Sequence, residues 1–173
     1  MKIFLYLAVL VATISCKNHK NASAEAEAEV PTTDTIVMVV EQPTPKDTLV
    51  ISFDKTPCFG RCPVYKIKIY ASGFSTYEGI NFAEKMGLYS TTFSQAQIEK
   101  IYRSALEIDY FNLDSEYNNP EISDLPSTIS RINYNGKNQR IMARNNVPEK
   151  LKIFHETLAE ILLGQGWQPY SNR

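Results

Sequence analysis

The chain has 173 residues, with 18 Lys and Arg against 19 Asp and Glu, for a formal net charge of −1. That balance lacks the basic excess needed to track a phosphate backbone, and no stripe of Lys or Arg with interleaved aromatics occurs, which sets nucleic acid aside as a partner. The length suits one domain plus a tether, and ten Tyr and eight Phe against seven Gly point to a chain rich in sheet.

At the N-terminus one basic residue, Lys2, precedes an apolar run from Ile3 to Ala12, and Thr13-Ile14-Ser15-Cys16 follows. A charged start, a short apolar core and a small residue before the cleavage point describe an export signal, and the run is too short to span a bilayer. Cys16, just past Ser15, turns this into a bacterial lipoprotein signal. Residues 1–15 are then removed, and Cys16 takes the lipid and becomes the mature N-terminus. Thr13 stands where Leu is commonest, and a plain secreted protein or an uncleaved anchor is the alternative. The expected location is the cell envelope, at the outer membrane, with acyl chains such as palmitate on Cys16 and the domain facing the periplasm or the exterior.

Residues 16–47 read as the lipidated Cys followed by a flexible tether. Ala and Glu alternate from Ala24 to Glu29, and Pro31, Pro43 and Pro45 interrupt the rest. Such a segment buries too little apolar surface to offset its ordering entropy. As a coil its ends sit on the order of 30 Å apart, enough to hold a domain clear of lipid headgroups. The apolar run from Ile36 to Val40 is the exception, a weak edge strand or a docking segment.

The folded domain is expected over residues 48–169. Leu49, Ile51 and Phe53 alternate with Val50, Ser52 and Asp54, a strand pattern. Val64 to Tyr70 alternates again, Ala71-Ser72-Gly73 turns the chain, and Phe74 to Ile80 returns as a hairpin partner. A further strand is expected between Gly87 and Phe93. Ser94 with Gln97 then opens a helix through a capping box, with Ile98, Ile101, Tyr102 and Ala105 at helical spacing. Residues 107–126 read as a long acidic and aromatic loop. Ser127 to Tyr134 and Lys137 to Arg144 flank Asn135-Gly136, a strong hairpin signal. Pro148 suits the first turn of a last helix whose core face is Leu151, Phe154, Leu158, Ile161 and Leu162, and Gly164 ends it. Hairpin-connected strands plus two one-sided helices imply an α+β domain, an antiparallel sheet with both helices packed on one face.

Beyond Cys16 two cysteines remain, Cys58 and Cys62, and three readings of them stay open. The first is a structural disulfide, which export favours. Residues four apart in an extended strand lie about 13 Å from each other, so the bridge needs a turn, for which Gly60 supplies the freedom. The second reading is copper or another soft metal on two thiolates, with His155 as third ligand. Cys-x-x-x-Cys-Pro resembles the motif of Sco-type copper carriers, although there it opens a helix and here it runs into a strand. The third is thiol exchange, which prefers two intervening residues at a helix N-terminus.

The other chemistry-bearing residues are few. His19 falls in the tether and reads as solvated, and His155 reads as a half-buried structural residue at the edge of an apolar face. No Ser-His-Asp or Cys-His pairing is visible, so acyl transfer has little support. The acidic loop carries Asp109, Asp114, Glu116, Glu121 and Asp124 at spacings that fit no calcium loop. It reads first as a solvated loop that Tyr110, Phe111 and Tyr117 pin to the core; in the alternative it is a weak cation or partner site, with Tyr110, Tyr117 and Asp124 as candidates for contact with a partner. No catalytic residue and no cofactor are expected.

The segments Cys58-Phe59-Gly60-Arg61-Cys62-Pro63-Val64-Tyr65, Gly73 with Tyr77-Glu78-Gly79, Gly87, and Ser123-Asp124-Leu125-Pro126-Ser127-Thr128 resemble a bacterial envelope family catalogued as domain of unknown function 6438. The resemblance covers about residues 49–160, and the segment from Asn81 to Met86 departs from it. It implies a small α+β domain, often on a lipoprotein, and carries over no functional residues. Two functions compete. One is a lipid-anchored, non-enzymatic binding or accessory domain meeting an envelope protein or ligand; the other is a copper-binding or thiol-redox protein acting through Cys58 and Cys62.

Overall fold

The computed structural model describes residues 46–122 and 124–170. The expected signal, the lipidated Cys16, the run Ile36 to Val40 and the tether up to Pro45 lie outside the described residues.

Among the described residues eight strands form one sheet, and two helices cover one of its faces. β1 (Leu49–Lys55), β2 (Val64–Tyr70), β3 (Phe74–Asn81) and β4 (Gly87–Thr92) come first, followed by α1 (Gln95–Glu107). β5 (Glu116–Tyr117), β6 (Thr128–Tyr134) and β7 (Lys137–Ala143) lead to α2 (Glu149–Leu163) and β8 (Gln168–Pro169). The sheet order is β5-β7-β6-β1-β2-β3-β4-β8. Every pair is antiparallel except β5 with β7, which run parallel. This is the expected α+β architecture.

Local chemistry sets the boundaries. Asn135 and Gly136 both take positive φ, 49° and 76°, as a two-residue hairpin matched to the strand twist requires. Gly73 turns β2 into β3 at φ 91°, and a methyl group there would strike the Phe93 carbonyl. Ser94 caps α1 through both arms of the capping box, taking the Gln97 amide on its hydroxyl and giving its own amide to the Gln97 side chain. Pro148 stands one residue earlier than its spacing suggests, at the N-cap of α2, and Gly164 ends that helix at φ −71° without a left-handed turn.

Strand alternation sends Ile51, Phe53, Ile67, Ile69, Tyr77, Ile132 and Ile141 to one face, where they meet Ile98, Ile101 and Ala105 of α1 and Leu151, Leu158 and Leu162 of α2. Burying side chains of this size contributes roughly 1.5–3 kcal/mol each. Trp167 closes the core beyond α2. Its indole N–H donates to the Leu162 carbonyl at 2.9 Å while the ring packs on Tyr77 and Phe93. On the opposite face Asp54 sits among Lys66, Lys68 and Arg140; burial raises its pKa, and those cations pull it back in part.

The described part of the span 107–126 carries more regular structure than its composition suggests. Tyr110–Asn112 forms a single 3-10 turn, and Glu116–Tyr117 adds β5 to the sheet. The Met142 amide donates to the Ser115 carbonyl just before β5, and the Arg144 amide, just after β7, donates to the Tyr117 carbonyl. No helix among the described residues is long and apolar enough to cross a membrane.

Candidate functional site

One end of the sheet gathers the chemically interesting groups. The registers pair Lys55 with Thr128 and Thr128 with Ala143, so the last residue of β1, the first of β6 and the last of β7 form one row. Alternation points this row at the helices. Lys55 continues the Ile51, Phe53 series, and Thr128 continues the Ser130, Ile132 series. Two polar side chains, Lys55 and Thr128, therefore stand beside Ala143 on the core-facing side at this end, where apolar residues would be ordinary.

Above the row runs one stripe of α2: Lys152, His155, Glu156 and Ala159, spaced to share a helix face. Pro126 before β6, with Arg144 and Val147 after β7, completes the rim. Together they enclose a cavity of about 290 Å³. Lys55 Nζ donates to Thr128 Oγ1 at 2.7 Å and lies over the Phe53 ring, 5.8 Å from its centre. Arg144 Nε donates to Ser127 Oγ at 3.0 Å. Ser127 is itself pinned to the residue after β1, since its amide donates to Thr56 Oγ1 at 2.7 Å and the Thr56 amide to its carbonyl at 3.0 Å.

Behind the cavity lies a buried polar chain. The Tyr110 hydroxyl is 2.7 Å from Ser130 Oγ, and Ser130 Oγ is 2.8 Å from His155 Nε2. Burial lowers the His155 pKa to about 4, and the neighbouring Lys55 ammonium acts in the same direction, so the ring is neutral near pH 7. Burial lowers the Lys55 pKa as well, and Glu156 opposes that shift. The Tyr110 phenol is raised well above its ordinary range by burial, against smaller opposing effects of Ser130, Arg131 and Arg140.

The Ser130–His155 pair carries no Asp and so makes no Ser-His-Asp set, and His155 is buried at 6% exposure rather than half-buried. Ser130 lies in the middle of a buried strand face at 0% exposure, with Tyr110 on its other side. Its oxygen is sealed from solvent, and the hydrogen-bond chain satisfies three buried polar groups.

Cys58 and Cys62 form a disulfide with Cα atoms 5.8 Å apart, closing the loop between β1 and β2. Phe59 at its tip is 92% exposed, and Arg61 stacks 5.2 Å from the Phe82 ring centre across to the β3–β4 loop. The sulfurs bond each other and His155 bonds Ser130, so the set Cys58, Cys62 and His155 is not assembled. Among the described residues no group of three or more His, Cys, Asp or Glu is placed to hold a metal ion.

The partner-contact candidates separate. Tyr110 has 0% exposure, which corrects its assignment as a contact residue: its ring packs on Phe154 and Phe111 and pins the loop from beneath. Tyr117 is half-buried and its hydroxyl accepts the Asp114 amide at 3.1 Å. Asp124 is exposed. Lys55, Thr128 and Arg144 went unread as site residues. Their signal in the sequence was the persistence of Lys55 on the apolar parity of β1 and of Thr128 and Ser130 on that of β6.

A family model described as domain of unknown function (DUF6438) matches residues 49–162, from the first residue of β1 to the last turn of α2. Every residue lining the cavity falls within that span. No curated protein matches the chain.

Proposed function

The chain belongs to the family described as domain of unknown function 6438, and from that premise we propose that it is an envelope lipoprotein, anchored through acylated Cys16, whose folded domain binds a ligand without transforming it. The observation that carries the binding half is the cavity above Lys55, which is lined by hydrogen-bond donors and backed by a Ser–His pair with no open face. Donors fixed by their own partners suit recognition, and a sealed hydroxyl does not suit attack. The anchoring half rests on the charged, apolar and small-residue pattern that ends at Cys16.

Native mass spectrometry of the protein extracted from its own membranes tests both halves. The expected spectrum shows a chain beginning at acylated Cys16, with a small non-covalent adduct. Ala159→Trp, or Val147→Trp should the first variant fold poorly, fills the cavity and removes that adduct. An unprocessed or unacylated N-terminus would refute the anchor. An adduct indifferent to both cavity variants, or no adduct at all, would refute the binding site.

A further inference from the structure

The cavity that the proposed function rests on has a charge pattern that narrows its ligand. Three cations line it, Lys55, Arg144 and Lys152, against the single carboxylate of Glu156, and His155 is neutral. Lys152 is exposed and already paired with Glu149 at 3.2 Å. Lys55 and Arg144 differ. Among the described residues neither has a carboxylate within ion-pair distance, and each is instead held by one hydroxyl, Thr128 Oγ1 for the ammonium and Ser127 Oγ for the guanidinium Nε.

The remaining donors define the vacancy in chemical terms. An ammonium has three N–H groups and Lys55 uses one; a guanidinium has five and Arg144 uses one on Ser127. The unused Arg144 donors include the planar pair that matches two oxygens of one oxyanion. Partial burial of a cation with no carboxylate in ion-pair contact is costly, Glu156 offsets that for Lys55 only from a distance, and an anion seated beside the cation removes more of the cost. Glu156 sets the polarity of the pocket: a ligand carboxylate or phosphate is repelled from the α2 wall and driven toward the Lys55 and Arg144 side. The volume, near the lower limit for small-molecule sites, restricts the ligand to something compact.

We infer that the cavity receives a small solute through an oxyanion group, a carboxylate or a phosphate, held by Lys55 Nζ and the Arg144 guanidinium with Ser127 and Thr128 fixing their positions. Recognition by Lys55 and Arg144 rests on the binding reading above and adds the chemical class.

The test is calorimetric titration of the detergent-solubilised full protein with inorganic phosphate, with succinate, and with erythritol as a neutral probe of similar size, at constant ionic strength. The inference expects saturable binding of at least one anion and none of erythritol. Loss of a charge-assisted hydrogen bond should weaken that anion about tenfold or more in Lys55→Met and in Arg144→Gln. Lys66→Met, on the opposite face of the sheet, should bind as the unmodified protein does. Circular dichroism melting shows whether each variant is folded, and Thr128→Val, which removes the hydroxyl holding Lys55, replaces Lys55→Met if that variant unfolds. Erythritol binding without anion binding would overturn the inference and leave the cavity as a ligand site. No binding of any probe, or anion affinity unchanged in the Lys55 and Arg144 variants, would overturn it as well, whereas loss of the membrane-derived adduct in the cavity-filled variants reports on the parent reading alone.

Discussion

Ser130 Oγ lies 2.8 Å from His155 Nε2, joining the middle of β6 to the middle of α2 through the core. Two proton arrangements satisfy the chain. Either Tyr110 donates to Ser130 and Ser130 donates to a His155 ring protonated on Nδ1, or all donors reverse. In both, one serine hydroxyl serves two buried partners, and burial keeps the imidazole neutral.

That neutrality makes stability depend on pH. His155 has an ordinary pKa of 6.5 and a folded value of about 4, lowered by burial and then by Lys55. A depressed histidine pKa means that the unfolded chain binds the proton more readily than the folded one. Stability is therefore full above pH 6.5, falls as the pH drops below it, and levels off below about 4. The full loss is on the order of 3 kcal/mol. Lys55, Arg144, Lys152 and Glu156 share the cavity with the ring, and of these Lys55 is the one that shifts it. Urea unfolding between pH 7.5 and 4, compared with His155→Gln, checks this: the variant should show a clearly shallower decline, and parallel curves would contradict the assignment.

The shared hydroxyl sets the order of two mutational costs. Tyr110→Phe removes one hydrogen bond and leaves Ser130 with His155, which should cost about 1 kcal/mol. Ser130→Ala strands a phenol and an imidazole nitrogen in the core and should cost roughly 2–3 kcal/mol. Equilibrium denaturation ranks them, and an equal or reversed ranking would show that the chain is not joined at Ser130.

The Cys58–Cys62 bridge closes a loop so short that the chain-entropy model gives about 2 kcal/mol. Cys58→Ser with Cys62→Ser should lower stability by that amount and leave the domain folded. Reductant should lower the melting midpoint of the unmodified protein to that of the double variant. A midpoint unmoved by reductant would mean that the loop holds without the bridge.

Gly79 offers a sharper steric test. A Cβ built there would collide with the Lys85 carbonyl oxygen, because the β3–β4 loop folds tightly over β3. Gly79→Ala should cost roughly 1–3 kcal/mol, since backbone rather than a flexible side chain must move. Gly166→Ala, with open space around it, is the matched control and should be near neutral on melting.

What the sequence made legible was whatever one short window contains. The Ser94–Gln97 box and the Asn135-Gly136 turn announce themselves in four residues or fewer, and β2 alternates in its own seven. The hydroxyl chain is different in kind, since Tyr110, Ser130 and His155 come from a loop turn, a strand and a helix. Their spacing reflects topology, which periodicity does not encode. β5 was hidden for a related reason. Two residues carry no alternation, and its parallel partner lies beyond β6 in the chain. Lys55 lay in plain view, one step past a strand whose apolar side had already been traced.

The outermost strands, β5 and β8, are each two residues long, and β8 contains Pro169, which has no amide hydrogen to donate. A sheet with long bare margins can recruit the matching margin of another molecule and grow into fibrils. A lipid at Cys16 would confine copies of this domain to a plane, where they collide far more often than in free solution. Pairing with β5 covers only Met142 and Ala143 of β7, and pairing with β8 only Tyr89 and Ser90 of β4. What guards the rest of the β7 margin is charge: exposed Lys137 and Arg140 repel the matching margin of a neighbouring copy. The crowding that concentrates the domain should therefore not make it polymerise.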